Sequence, residues 1–200
     1  MGKLVANFFI TLDGVVESPN WPQDWHFPFY NEEMAAAVER SQSAKAFLMG
    51  RGTYDTWVGY WPKQARIEPT DAVGQAADFA SFINAVPKYV VSNTLSNPEW
   101  QNTTVISRDA AAENIRELKE RTDGEIHMAG SATLVRWLLA QGLLDEFHLM
   151  VHPIIVGKGR RLFEQVPRHE LELIHQEGFK TGVIDAVYAV RATPNGTAAA

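Results

Sequence analysis

The sequence predicts an α/β fold: a mixed, mainly parallel sheet flanked by helices, closed by an antiparallel C-terminal hairpin. Three observations carry that prediction. Short, β-prone apolar runs alternate with helical segments. Two of the strand-to-helix joints pass through glycine. The last two apolar runs follow one another with only a turn between them.

Leu4-Val5-Ala6-Asn7-Phe8-Phe9-Ile10 reads as a strand buried on both faces, and Thr11-Leu12-Asp13-Gly14 as the turn that ends it. A loop from Glu17 to Tyr30 follows, with three prolines and two tryptophans; loops of that length inside a domain usually carry function. Asn31 caps a helix whose first turn holds Glu32 and Glu33, where the helix dipole favours acids. Ala46-Phe47-Leu48-Met49 is a strand. Gly50-Arg51-Gly52-Thr53 is then a turn leading to a short helix through Trp57. A helix is expected over Asp71 to Ala85, strands at Tyr89-Val90-Val91 and Thr104-Val105-Ile106, and a helix from Ala110 to Arg121. Glu125 to Ala129 is a strand, turned by Gly130-Ser131 into a helix from Ala132 to Gln141 that Gly142 closes. Glu146 to Val156 alternates as a strand, with Phe147, Leu149 and Val151 on one face and His148, Met150 and His152 on the other. Leu171 to His175 and Val183 to Val190 form the closing hairpin. No repeat or linker divides residues 1–191, which read as one domain; 192–200 are small and polar and read as a disordered tail.

With 200 residues, 46% of them apolar and 21% charged, the chain is long enough to bury a substantial core. Twenty-four acidic against 18 basic side chains give a net charge of -6. That balance argues against nucleic acid as a partner, which requires clustered Lys and Arg. Lys158-Gly159-Arg160-Arg161 is the one short basic run, and a solvated loop accounts for it. The absence of cysteine excludes disulfides, thiolate nucleophiles, Cys-ligated zinc and iron–sulfur clusters. No signal peptide and no apolar run of ~18 residues is seen, so a cytoplasmic protein without membrane contact is expected, and the sequon at Asn195 carries no weight.

Two readings stand at each glycine turn. A helix N-terminus with a glycine beside it binds phosphate through free N–H groups, and Arg51 and Thr53 add a guanidinium and a hydroxyl. A plain tight turn with a capping Thr53, or with Ser131 or Thr133 as the cap, uses the same residues. Neither turn carries the full G-x-G-x-x-G or P-loop pattern. Ser92-Asn93, just past a strand, either receives a ribose phosphate or makes a turn. His148 and His152 are spaced like a helical metal pair, but on a strand they stand ~13 Å apart, so no metal site is expected. No G-x-S-x-G elbow supports a hydrolase. Trp21 and Trp25 are candidates for a pocket rim, whereas Trp57 reads as packing.

In this order, Thr11-Leu12-Asp13-Gly14, Met49-Gly50-Arg51-Gly52-Thr53-Tyr54, Ala129-Gly130-Ser131, Leu144-Asp145-Glu146 and Pro153 through Gly157-Lys158-Gly159 to Leu162-Phe163 resemble the dihydrofolate-reductase-like superfamily. Within it, the RibD C-terminal group, named for the reductase domain of bacterial riboflavin biosynthesis, is the best match, from about Lys3 to about Arg191. The resemblance implies a mixed sheet of about eight strands, NADPH as hydride donor and, often, a homodimer. It places the cofactor phosphates near Gly50, Arg51 and Thr53 and near Gly130, Ser131, Ala132 and Thr133. The adenosine end falls near Ser92, Asn93 and Arg108, and the small-molecule substrate between the first loop and the helix from Asn31. The zinc-binding deaminase half of the bifunctional riboflavin enzyme is missing from this chain.

The expected activity is direct hydride transfer to a C=N or C=O bond, as in the 5-amino-6-(5-phosphoribosylamino)uracil or dihydrofolate reductase reaction. Asp13, with a pKa raised by burial, is the first candidate for organising the proton, and Glu33 the second. Closing the turn and stabilising the helix start are the structural alternatives for these two acids. The rival reading is a non-catalytic dinucleotide- or small-ligand-binding protein of the same fold.

Overall fold

The computed structural model describes residues 1–17, 25–64 and 71–191, with the backbone alone for 71–77. Trp21 and the tail at 192–200 lie outside the described residues. The strands are β1 (Lys3–Thr11), β2 (Ala46–Gly50), β3 (Lys88–Val91), β4 (Thr103–Ile106), β5 (Glu125–Met128), β6 (Glu146–His152), β7 (Leu171–Gly178) and β8 (Ile184–Val190). The helices are α1 (Glu32–Arg40), α2 (Arg51–Val58), α3 (Trp61–Gln64), α4 (Asp71–Ala85), α5 (Ala111–Arg121) and α6 (Ala132–Ala140). None of the described helices is long and apolar enough to cross a membrane.

The strands form one sheet in the order β4-β3-β2-β5-β1-β6-β8-β7. Strands β1 to β6 are mutually parallel, so their carboxyl ends share one edge. β8 runs antiparallel to β6, and β7 to β8, which is the hairpin the sequence predicts. The order has a physical reading. The chain leaves β1, steps over one strand position to build β2, β3 and β4 outward, then returns to place β5 in the gap.

The central strands are buried on both faces, which is why they are apolar without alternation. In β2, Ala46 and Leu48 face one core with Leu4, Ala6 and Phe8 of β1, while Phe47 and Met49 face the other with Tyr54, Ile83 and Trp100. α5 and α6 cover the first face; α2 and α4 cover the second. Leu134, Val135, Leu138 and Leu139 of α6 are all buried in the first core. Each such side chain contributes about 1.5–3 kcal/mol relative to exposure, so the position of α6, and of Ser131 at its start, is firmly set.

Local chemistry fixes the helix ends. Asn31 caps α1, its side chain accepting from the Met34 N–H at 3.0 Å. Gly142, at φ 63°, ends α6, with the Leu143 N–H returning to the Leu138 carbonyl. At the start of β3, the buried Lys88 ammonium donates to the carbonyls of Ile83, Asn84 and Val86, tying the end of α4 to the strand.

Several boundaries shift by one to four residues from the sequence reading, and two of them bear on the site. Gly50-Arg51-Gly52-Thr53 is not a turn before a helix: α2 begins at Arg51, because extended Gly50 alone redirects the chain. β6 stops at His152, not Val156. Pro153 has no N–H for a ladder, and the Ile154 N–H turns back to the His152 carbonyl at 2.8 Å.

Candidate functional site

Adjacent parallel strands whose following helices go to opposite faces leave a crevice at their carboxyl ends, and ligands of open α/β sheets bind in such crevices. β2 and β5 are such a pair. β2 leads into α2 on one face, and β5 into α6 on the other. Gly50 ends β2 and Gly130 lies two residues past the end of β5, so both glycine turns stand at one switch point.

The turns interlock. The Gly50 N–H donates to the Gly130 carbonyl at 3.4 Å. A Cβ on Gly50 would lie 2.7 Å from Ser131 Oγ, and one on Gly130 would lie 2.6 Å from Thr53 Oγ1. Gly130 also has φ +140°, which L side chains rarely adopt. The peptide between Gly130 and Ser131 is cis. The two helix starts differ. Ser131 caps α6 by accepting from the Leu134 N–H, with Ala132 buried and Thr133 exposed. α2 has no side-chain cap, so the N–H groups of its first turn remain open at the crevice.

Arg51 is the first residue of α2. Its Nε donates to both Asp55 carboxylate oxygens, at 2.7 and 2.9 Å, and an Nη reaches Thr94 Oγ1 at 3.2 Å. The guanidinium therefore spans the ends of β2 and β3. Ser92 is 3% exposed, and its hydroxyl accepts from the N–H groups of Thr94 and Leu95, so it shapes the turn after β3. Asn93 accepts from the Arg108 N–H at 2.7 Å and from the Ser107 hydroxyl, joining the end of β3 to that of β4. The Arg108 side chain is exposed on the same edge.

On the other side of the crevice, Asp13 binds a distant loop. One carboxylate oxygen accepts from the Thr11 hydroxyl at 2.6 Å and the Val156 N–H at 3.2 Å; the other accepts from the Gly157 N–H at 2.9 Å. Arg161 lies 3.5 Å away. The Thr11 hydroxyl, followed by the Gly157 and Val156 N–H groups, outweighs desolvation and holds the Asp13 carboxyl at about 2. The expectation of a raised pKa at Asp13 is therefore corrected: donors that the sequence does not show converge on it, and it stays ionised. Glu33 accepts from the Lys180 N–H and the Asn31 amide, both at 2.8 Å, and the Lys180 bond foremost pulls its pKa down. It ties the start of α1 to the β7–β8 connection.

Trp25, the described one of the two pocket-rim candidates, stands half-buried in an aromatic group. Its indole meets the His152 ring edge-on at 4.9 Å and donates to the Glu17 carbonyl at 3.3 Å. Phe9 and Phe29 lie 5.6 and 5.7 Å from the same imidazole. Trp57 packs with Phe47, Trp61 and Phe79. Sequence reasoning weighed His152 only as a metal ligand beside His148. The structure separates them: His148 faces Glu146 and His127, while His152 ends its strand beneath the aromatic rings. No group of three or more His, Asp or Glu that could hold a metal ion occurs among the described residues. The signal available in the sequence was the alternation that puts Met150 and His152 on the face opposite Phe147.

Comparisons with known proteins bear on the family and the fold. Residues 2–184 match the family model of the RibD C-terminal domain. The chain is 29% identical over 187 residues to the uncharacterised protein YyaP of Bacillus subtilis (strain 168), covering 93% of this chain and 94% of the relative. Among solved structures, a protein from Shewanella sp. PV-4 named for riboflavin biosynthesis has a TM-score of 0.66 at 17% identity, covering 95% of this chain and 99% of that one. A dihydrofolate reductase from Enterococcus faecalis, complexed with NADP(H), has a TM-score of 0.56 at 13% identity, covering 94% and 95%. These two likenesses establish a dihydrofolate-reductase-like fold. With the match running almost end to end, the chain belongs to the RibD C-terminal domain family.

Proposed function

We propose that this chain is an NADPH-dependent reductase of a small heterocyclic or carbonyl/imine substrate. The observation that carries the reading is the uncapped start of α2 facing the Gly130-Ser131 turn across a sheet switch point. A dinucleotide has two phosphoryl groups. The open N–H groups of α2 with Arg51 suit one, and the backbone at Gly130-Ser131, with Ala132 and Thr133 behind it, suits the other. Asn93 and Arg108 lie along the same edge for the adenosine end, with Ser92 fixing their turn. The family and the NADP(H)-bound fold relative support this reading.

Bound there, NADPH supplies a hydride to a C=N or C=O carbon. The heteroatom then takes a proton. Asp13 and Glu33 are both held ionised, so neither is the proton's donor. The residues of this chain act by orientation: the two turns fix the dinucleotide, and Asp13 anchors the 156–157 segment as one wall. Nicotinamide fluorescence during titration with NADPH tests the reading. Binding in the micromolar range is expected, with oxidation on addition of a pterin, a pyrimidine or a small carbonyl. No binding at tens of micromolar would remove the reading. Binding without oxidation across the panel would point to a non-catalytic dinucleotide-binding protein.

A further inference from the structure

β6 starts at Glu146 on the amino edge of the sheet, and the end of α6 lies close to it. Around them, with the segment that enters β7 and the end of β8, is a hollow of about 360 Å³, a volume in the range of small-molecule sites. It stands at the opposite edge of the sheet from the glycine turns, which follow the carboxyl ends of the parallel strands. Leu139, Leu144 and Val190 give the hollow an apolar wall, and Asp145, His169 and Arg191 supply polar groups.

The backbone places these polar groups and leaves them incompletely partnered. The Val190 N–H donates to the Asp145 carbonyl at 2.8 Å, and the Arg191 N–H to the Glu170 carbonyl at 3.1 Å, which sets His169 near the end of β8. Asp145 Oδ2 accepts from the Leu4 N–H at 2.7 Å and pairs with Lys119 at 2.6 Å. Both contacts use the same oxygen, and Oδ1 is left for a ligand. α6 has no basic residue in its last turn, so its own side chains do not offset the partial negative charge of its carboxyl end. Arg191 pairs with Glu172 through Nε at 3.6 Å, too long for a hydrogen bond. Both ring nitrogens of His169 are shielded from solvent, and neither has a hydrogen-bond partner among the described residues. Buried polar atoms are almost always satisfied, so this imidazole calls for a partner. The residue is half-buried and lines the hollow, and rotation about its Cβ–Cγ bond brings a nitrogen to a ligand there.

The hollow therefore accepts hydrogen bonds on its α6 side and offers a cation on its β8 side. A neutral imidazole between them has one donor and one acceptor, which suits a partner that both donates and accepts. We propose that this hollow is a second binding site, for a zwitterionic α-amino acid with an aliphatic side chain. The ammonium meets Asp145 Oδ1 and the carboxyl end of α6. The carboxylate meets the Arg191 guanidinium, His169 bonds the ligand's polar end, and the side chain covers Leu139, Leu144 and Val190. The site stands independently of the reductase reading.

The test is calorimetric titration of the full chain with L-leucine, with 3-methylbutylamine, which lacks the carboxylate, and with 4-methylpentanoate, which lacks the ammonium. Wild type should bind L-leucine below about 1 mM and each of the other two at least tenfold more weakly. Arg191→Gln, a change at an exposed side chain, should weaken L-leucine tenfold or more while leaving the amine within twofold. His169→Phe, which keeps a ring and removes both nitrogens, should also weaken L-leucine tenfold or more. No heat of L-leucine binding at about 10 mM, equal affinity for the three compounds, or an L-leucine affinity unchanged in either variant would overturn the proposal.

Discussion

Thr53 Oγ1 stands 2.6 Å from the point where a Cβ would begin on Gly130. A helix on one face of the sheet and a turn on the other thus limit each other directly. Gly130→Ala should cost about 1–3 kcal/mol, from the hydroxyl contact together with φ +140°. In a Thr53→Ala background the cost should shrink, because only the backbone part remains. Urea unfolding of the four proteins measures this, and strictly additive losses would show that the two residues do not constrain each other.

Arg51→Ala should leave stability within about 0.5 kcal/mol, since its bond to Asp55 is a partly exposed i,i+4 pair. NADPH affinity should fall about tenfold or more, because a charge-assisted phosphate contact is lost. Fluorescence titration beside thermal unfolding separates the two effects. Unchanged NADPH affinity would sink the phosphate assignment.

Asp13 sets a pH window. Its folded carboxyl lies at about 2, below the ordinary 3.8, so its contribution is complete above the higher value and is lost as pH falls through the lower. Asp13→Asn should therefore melt below wild type at pH 6, and the gap should close between pH 4 and 2. A gap that persists unchanged at pH 2 would mean that the charge is not what holds the 156–157 segment.

β7 is the sheet's terminal strand, and all eight of its residues are exposed in the isolated chain. Leu173 is 50% and Ile174 55% exposed. Such an edge invites pairing with another chain, and we propose that it meets a second copy. Sedimentation should find a homodimer for wild type and a monomer for Leu173→Lys. A wild-type monomer at micromolar concentration would dismiss this interface.

What could be read from the sequence follows the range of the interactions involved. Asn31 and Gly142 were legible as caps, because capping is settled within four residues. Gly50 and Gly130 were each legible as turns. That they touch was not, since it requires β5 to fall beside β2 after a crossover of more than seventy residues. Asp13 was legible as a turn residue, but its lowered pKa comes first from the Thr11 hydroxyl, whose aim the sequence does not show, and then from N–H groups 143 and 144 positions away. His152 was assigned to the correct face by alternation. Nothing local indicated that rings from β1 and the first loop would cover it.

The tie from Glu33 to the Lys180 N–H has a consequence for how the protein is made. α1 emerges early in synthesis, yet two of its buried partners, Phe179 and Val183, lie in the connection before the last strand. β7 pairs only with β8, so it too has no neighbour until that strand appears. A nascent chain halted before about residue 180 would carry both glycine turns but not the wall beneath α1. The part of the crevice around the two glycine turns can thus take shape on the ribosome well before the part beneath α1, and ribosome-stalled chains of increasing length would gain protease resistance in those two regions in that order.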